Sequence, residues 1–243
     1  MRYLLTLRYI GSSFCGWQVQ PNGPTIQEAL CTAAEKIFSK KTNITGCSRT
    51  DSGVHALKFC CHFDAETNIT PEKMPEAFNN NLPEGISVLS CEIVDNDFHA
   101  RYNCKGKTYV YKILNSRIPD PFWQGRAYLF KYKLDAEKMS MAAEKIKGTY
   151  DFSAFCASGS SVEDKVRTVT ECDVLKKGDI IEIKVTGNGF LYNMVRIIAG
   201  TLIDVGTGKI QPEKFSHIIE SKDRENAGVT APAHGLYLYD IYY

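Results

Sequence analysis

The chain has 243 residues, enough for one large domain or two small ones sharing a core. With 44% hydrophobic and 23% charged residues it reads as soluble and globular. The net charge of only +1 excludes a strong basic field over the whole surface, so a nucleic-acid partner would need a local cluster of Lys and Arg.

The chain opens with Arg2 to Ile10, rich in aromatic and branched residues and alternating in its second half, which predicts a strand. Gly11-Ser-Ser13 breaks it. Phe14-Cys15-Gly16-Trp17-Gln18 follows, an aromatic pair in a glycine-rich loop. Such a pair can contact a nucleobase, and it can equally close over the core. Pro24 to Glu28 starts a helix: Thr25 can cap, and Glu28 three residues on completes a capping box. Ile26, Leu30, Ala33 and Ile37 then recur at helical spacing and predict one face packed on a sheet.

Gly46-Cys-Ser-Arg49-Thr50-Asp51-Ser-Gly53-Val-His55-Ala56 comes next. A basic residue, a hydroxyl and a carboxylate stand within three positions, between two glycines that permit unusual backbone angles or close approaches. The polar Lys40 to Ile44 precedes it and the apolar, β-prone Leu57 to Phe63 follows. Asp51 is therefore expected in a loop at the edge of a strand, within reach of a substrate. A second helix is expected from Pro71 through Phe78 and a strand from Ile86 to Val94. Phe98-His99-Ala100-Arg101-Tyr102 sets His and Arg beside aromatics, a group that can grip phosphates or simply end a strand.

Cys104 to Lys107 is a polar break, which divides the chain into an N-terminal half, residues 1–104, and a C-terminal half, residues 105–243. Thr108 to Leu114 is an alternating strand with Tyr109 and Tyr111. Asp135 can cap a helix bearing Met139, Ala142, Ala143 and Ile146. Thr168 to Leu175 and Ile180 to Val185 form a hairpin. Before it, Ala157 to Arg167 is small and polar and is expected to be a mobile loop. Its Lys165 and Arg167 either reach a phosphate backbone or are merely solvated. Phe190 to Val205 is apolar almost all round, with Leu191, Met194, Val195, Ile198, Leu202 and Val205 on one face, so it is expected as a buried helix. Arg196 projects from it on the side shared with Asn193 and Gly200, and a buried guanidinium needs an anion. Asp51 is one candidate; escape along the aliphatic stem, or another acid, is the alternative. Leu236 to Tyr242 closes the chain as a strand.

The nine cysteines include no Cys-x-x-Cys pair and no ligand-spaced Cys/His cluster, so no metal is expected. Their odd count and apolar contexts suggest free thiols in a reducing compartment. With neither a signal peptide nor a membrane-length apolar run, a cytoplasmic protein with no membrane partner is expected.

Five of these stretches, in this order, resemble the TruA family of tRNA pseudouridine synthases. They are Phe14-x-Gly16-Trp17-Gln18; Arg49-Thr50-Asp51 with Gly53-Val54-His55; Phe98-His99-Ala100-Arg101; Tyr109-x-Tyr111; and Phe190 with Met194-Val195-Arg196 and Gly200. Gly235-Leu236-Tyr237-Leu238 also resembles the family's closing strand. Departures are Cys47, Ser48 and Ser52 in the aspartate loop and Ile10 where the family carries Asp.

The resemblance and the element order together imply an α+β fold. It consists of two related ferredoxin-like (RRM-like) halves forming a mixed, mainly antiparallel sheet flanked by helices, with a central cleft. The resemblance implies isomerisation of uridine to pseudouridine in the tRNA anticodon stem-loop, at tRNA nucleotides 38–40, with no cofactor and with a homodimeric enzyme. It makes Asp51 the nucleophile, Arg196 its clamp, and Tyr109 the ring that stacks on the uracil and could help remove the C5 proton; a plain β-sheet core residue is the alternative for Tyr109. Arg49 would contact RNA or fill the space left by the extruded base. Phe14, Gln18, His99, Arg101, Lys165 and Arg167 are further substrate-binding candidates. Two other classes compete: a non-catalytic RNA-binding module, and a metal-dependent hydrolase using Asp51 and His55 with His62 or His99.

Overall fold

The computed structural model describes residues 1–160 and 162–243; Ser161, within the expected loop 157–167, lies outside the described residues. The chain forms two compact units, Met1–Lys105 with Leu238–Tyr243, and Gly106–Tyr237. An expected half of residues 105–243 keeps the closing strand with the second half, whereas most of that strand packs with the first unit.

In the first unit β1 (Arg2–Tyr9) leads through a loop to α1 (Ile26–Phe38). The short β2 (Thr45–Gly46), β3 (His55–Asp64), α2 (Met74–Asn79) and β4 (Ile86–Val94) follow. The strand order is β4-β1-β3, and both β1 pairings are antiparallel. Phe59, Cys60, Cys61, His62 and Phe63 are buried in succession, which explains why β3 reads as a nearly continuous apolar run. Thr25 Oγ1 accepts from the Glu28 N–H at 3.3 Å, as the capping pattern predicts. Ile26, Leu30, Ala33 and Ala34 form the buried face of α1. The core is aromatic: Phe63 lies 5.4 Å from Tyr3, 5.7 Å from Phe38 and 5.8 Å from Phe78, measured between ring centroids. Of these rings the fully buried Tyr3, Phe63 and Phe78 each contribute about 1.5–3 kcal/mol by burial alone.

The second unit begins with β5 (Gly106–Leu114), then β6 (Tyr128–Leu129), α3 (Ala136–Ala143), β7 (Gly148–Asp151), β8 (Val166–Lys177) and β9 (Ile180–Gly187). Helices α4 (Met194–Gly206) and α5 (Phe215–Ser221) precede β10 (Leu236–Tyr242), whose residues from Leu238 onward belong to the first unit and lie beside β3. The order β5-β9-β8-β7 is antiparallel throughout, and the parallel β5–β6 pair makes the pairing mixed. The α+β class and mainly antiparallel pairing are those expected from the sequence. Lys177 pairs with Ile180 across Gly178-Asp179, the expected hairpin, with Gly178 at φ 59°.

Three details differ from expectation. Helix α4 starts at Met194, not near Phe190, because Asn193 adopts φ 60° and interrupts the chain there. Strand β8 starts at Val166, so Arg167 is a strand residue paired with Tyr150 rather than part of a loop. The short β2, β6, β7 and α5 had no expected counterpart.

Candidate active site

The aspartate loop is held from both sides by the loop after β1. The Val54 N–H donates to the Asp51 carbonyl at 3.1 Å, closing a turn whose Gly53 sits at φ 82°, a left-handed position that favours glycine. On one side of Asp51, the Trp17 N–H donates to the Thr50 carbonyl at 3.1 Å, and the Thr50 hydroxyl meets the Tyr9 hydroxyl at 2.8 Å. On the other, the Ser52 hydroxyl donates to the Phe14 carbonyl at 3.3 Å. The Asp51 residue itself is half-buried. These bonds fix the backbone that presents the carboxylate.

Trp17 is stacked on Phe59 at 4.2 Å, and a Cβ on Gly46 would come within 2.6 Å of the Trp17 ring. Phe14 and Trp17 are buried, Gln18 and Arg49 exposed.

Gly11 anchors the loop. Its N–H donates to His55 Nδ1 at 3.1 Å, and a Cβ there would lie 1.9 Å from the Val54 carbonyl oxygen. Gly11→Ala is expected to destabilise the protein by about 3 kcal/mol, since backbone cannot yield as a side chain does. A urea midpoint within error of wild type would show that the contact is not restrictive.

His99 and Arg101 lie on the turn after β4. His99 Nδ1 accepts from the Arg101 and Tyr102 N–H groups at 3.1 and 3.3 Å, and its ring meets His62 at 4.9 Å. Arg101 is exposed. His62 and His99 line a cavity of about 330 Å³ together with Arg2, Lys41 and Asn43. His62 Nδ1 in turn accepts from the Ala100 N–H at 3.1 Å. A ring nitrogen that accepts an N–H leaves the ring proton on Nε2, so His55 and His62 both act as structural acceptors here. Among the described residues, no group of three or more His, Cys, Asp or Glu is arranged to hold a metal ion.

Burial, then Arg2 and His99, push His62 down from its ordinary 6.5 to about 4. Between these values the unfolded chain binds a proton that the folded chain refuses, so stability falls as pH drops from about 6.5 to about 4. Wild type should lose about 2–3 kcal/mol more than His62→Asn between pH 7 and 4.5, because Asn keeps an acceptor for Ala100 but cannot titrate. Equal losses in urea titrations at the two pH values would remove His62 as the cause.

In the second unit, β5 carries Tyr109 and Tyr111. Tyr109 is buried and meets Phe190 edge-to-face at 5.1 Å. The Tyr111 hydroxyl donates to the Pro232 carbonyl at 2.8 Å, and burial pushes its phenol well above the ordinary range, so it is a structural residue. Arg167 passes over Gly189, next to Phe190; its Nη1 donates to the Asp164 and Val166 carbonyls at 3.0 and 2.6 Å. Lys165 stands just before β8.

Arg196, half-buried in the first turn of α4, is fixed in direction. Its Nε donates to the Ala231 carbonyl at 2.8 Å and its Nη1 to Asn193 Oδ1 at 2.7 Å. The Ala231 N–H returns a bond to the Arg196 carbonyl at 3.1 Å. The segment 228–231 lies directly on α4: a Cβ on Gly200 would fall 1.8 Å from the Val229 carbonyl oxygen. Beside it, His234 is pushed down by burial and then by Arg196. Sequence reasoning placed Asn193 on the same side as Arg196 but passed over Ala231 and His234. The available signal was Gly200 itself, since a glycine inside a helix marks a close approach by another element.

The family model described as tRNA pseudouridine synthase matches residues 6–103 and 142–243. The chain is 46% identical over 245 residues to tRNA pseudouridine synthase A of Bacillus subtilis (strain 168), covering 100% of this chain and 99% of the relative. It is 48% identical over 245 residues to the protein of that name from Bacillus licheniformis, with the same coverage, and 45% over 239 residues to that of Acetivibrio thermocellus, covering 98% of each. These matches span both units and set aside the binding-module and hydrolase readings. The chain belongs to the tRNA pseudouridine synthase family and, like its members, is an isomerase.

Proposed function

We propose that the protein isomerises uridine at tRNA nucleotides 38–40, in the anticodon stem-loop, with Asp51 as nucleophile and without a cofactor. The observation that carries this reading is the clamped Asp51 turn, bonded through both neighbouring residues to the loop after β1. A carboxylate oxygen attacks either ribose C1′ or the uracil ring. The N1–C1′ bond breaks with its electron pair leaving on the base. The uracil turns and C5 bonds to C1′; the aspartate is displaced from C1′ in that step or, on the other route, leaves the ring afterwards. C5 then gives up its proton and N1 gains one. The product is an isomer of the substrate, so no electrons and no group are supplied from outside.

Arg196 has the role of holding Asp51 and compensating its charge. Its two bonds to Ala231 and Asn193 support this, because a guanidinium fixed in direction loses little freedom on pairing. Tyr109 stacks on the everted uracil; a neutral phenol is a poor base near pH 7, so stacking is the role assigned to it. Extruding a base costs a few kcal/mol, roughly what stacking and contacts from Arg49 to the strand can offset. Phe14 and Gln18 support and border the aspartate loop, while His99 and Arg101 face the RNA from the turn after β4. A homodimer in the cytoplasm completes the reading, letting one tRNA use cations from both subunits of a nearly neutral chain; no helix among the described residues is long and apolar enough to cross a membrane. Mapping pseudouridines in tRNA from cells lacking this protein tests the reading. Nucleotides 38–40 should revert to uridine, and pseudouridine persisting there with losses elsewhere would overturn it.

A further inference from the structure

The second unit contains a cavity of about 520 Å³ that no part of the proposed chemistry uses. Lys165, Lys222 and Arg224 line it with Ser158, Ser160 and Thr230, against a single lining carboxylate among the described residues, Asp223. Asp223 Oδ1 already accepts from the Glu225 N–H at 3.0 Å. Arg224 is held in place: its Nη1 donates to the Ala227 carbonyl at 3.4 Å and its Nη2 to Thr230 Oγ1 at 3.3 Å. The Lys222 ammonium meets Asp151 at 3.2 Å in a partly exposed pair that contributes little to stability. The cavity is tied to the Arg196 anchor by two short paths. Thr230 immediately precedes Ala231, whose carbonyl binds Arg196 Nε, and the lining residue Ala157 donates its N–H to the Tyr192 carbonyl at 3.1 Å, just before α4.

We propose that this cavity is a phosphate subsite, taking one backbone phosphodiester of the RNA strand that delivers the target uridine. Three cations with hydroxyls and a partly rigid guanidinium form a suitable host for a phosphodiester. A chain of net charge +1 must concentrate its cations where the strand runs, and here three share one cavity beside the segment that holds Arg196. The subsite rests on the tRNA reading above and adds to it a definite strand path over the second unit.

The test is tRNA affinity as a function of KCl, inorganic-phosphate binding and steady-state kinetics for wild type, Lys165→Gln, Lys222→Gln and the double variant, with thermal midpoints measured alongside. Loss of one phosphate contact should flatten the log–log salt slope of the double variant by about 0.7–0.9 and weaken binding about tenfold near 0.1 M salt. The loss should appear in KM more than in kcat. A slope and KM equal to wild type in a folded double variant would overturn the subsite. So would loss of inorganic-phosphate binding with an unchanged tRNA slope, which would mark a site for the free anion. The two readings fail separately. Wild type that makes pseudouridine at nucleotides 38–40 while the double variant keeps its slope removes only the subsite. Wild type that makes none there removes the functional reading, and the slopes still report on the cavity.

Discussion

Asp51→Asn is expected to lower kcat for pseudouridine formation by at least about 10⁴ while leaving tRNA affinity within about threefold. Asn keeps the size and planarity of the side chain but cannot act as a carboxylate nucleophile. The turn should survive, because its supports act through Thr50, Ser52 and Val54: the Trp17 N–H on the Thr50 carbonyl, the Tyr9 hydroxyl on Thr50 Oγ1, and the Ser52 hydroxyl on the Phe14 carbonyl. Rate and binding should therefore separate cleanly. Single-turnover release of tritium from C5-labelled uridine in tRNA reads the chemistry directly, since the C5–H bond must break, and filter binding reads affinity. A wild-type rate in the Asn variant would remove Asp51 from the reaction.

Arg196→Lys is the second large effect, an expected loss of about 10²–10³ in kcat. The positive charge is retained, so a purely Coulombic role would survive the change. What is lost is the planar fork. Arg196 uses Nε on Ala231 and Nη1 on Asn193 to set the direction of its guanidinium, and an ammonium on a flexible stem cannot reproduce that geometry. Stability should drop less than activity, because segment 228–231 is also fixed to α4 by backbone: the Ala231 N–H on the Arg196 carbonyl and the Gly228 N–H on Thr201 Oγ1 at 2.9 Å. A Lys variant that is folded by thermal midpoint and fully active would count against the proposed clamp.

The elements legible in the sequence were those with long, regular patterns. Ile86 to Val94 and Leu236 to Tyr242 are rich in branched or aromatic residues and each follows a glycine, and both strands have those bounds. The capped helices were legible through Thr25 and Asp135, whose side chains accept from Glu28 and Lys138 N–H groups as the motif requires. The start of α4 was not, because Leu191 keeps the apolar spacing although the chain is interrupted at Asn193; periodicity reports burial, not backbone angle. The two-residue strands β2 and β6 are too short to carry any period. At the candidate site, the Arg-Thr-Asp turn was visible as a motif. Its fastening was not: Gly11 against Val54 and Tyr9 against Thr50 are contacts between residues about forty positions apart, which only the fold brings together. The same holds for Ala231 beside Arg196. The segment that carries it, 228–234, is small and uncharged except for its histidine, so nothing in its composition announces a partner for a helix.

The most direct measurement incubates unmodified tRNA with the purified protein after dialysis against a chelator, adds no cofactor, and locates pseudouridine by mass spectrometry of nuclease fragments, with the Asp51→Asn protein run at equal tRNA occupancy. Conversion by wild type at nucleotides 38–40, and none by the variant, is the predicted result. Conversion by the variant, conversion confined to other nucleotides, or conversion only after a metal or cofactor is restored would contradict it.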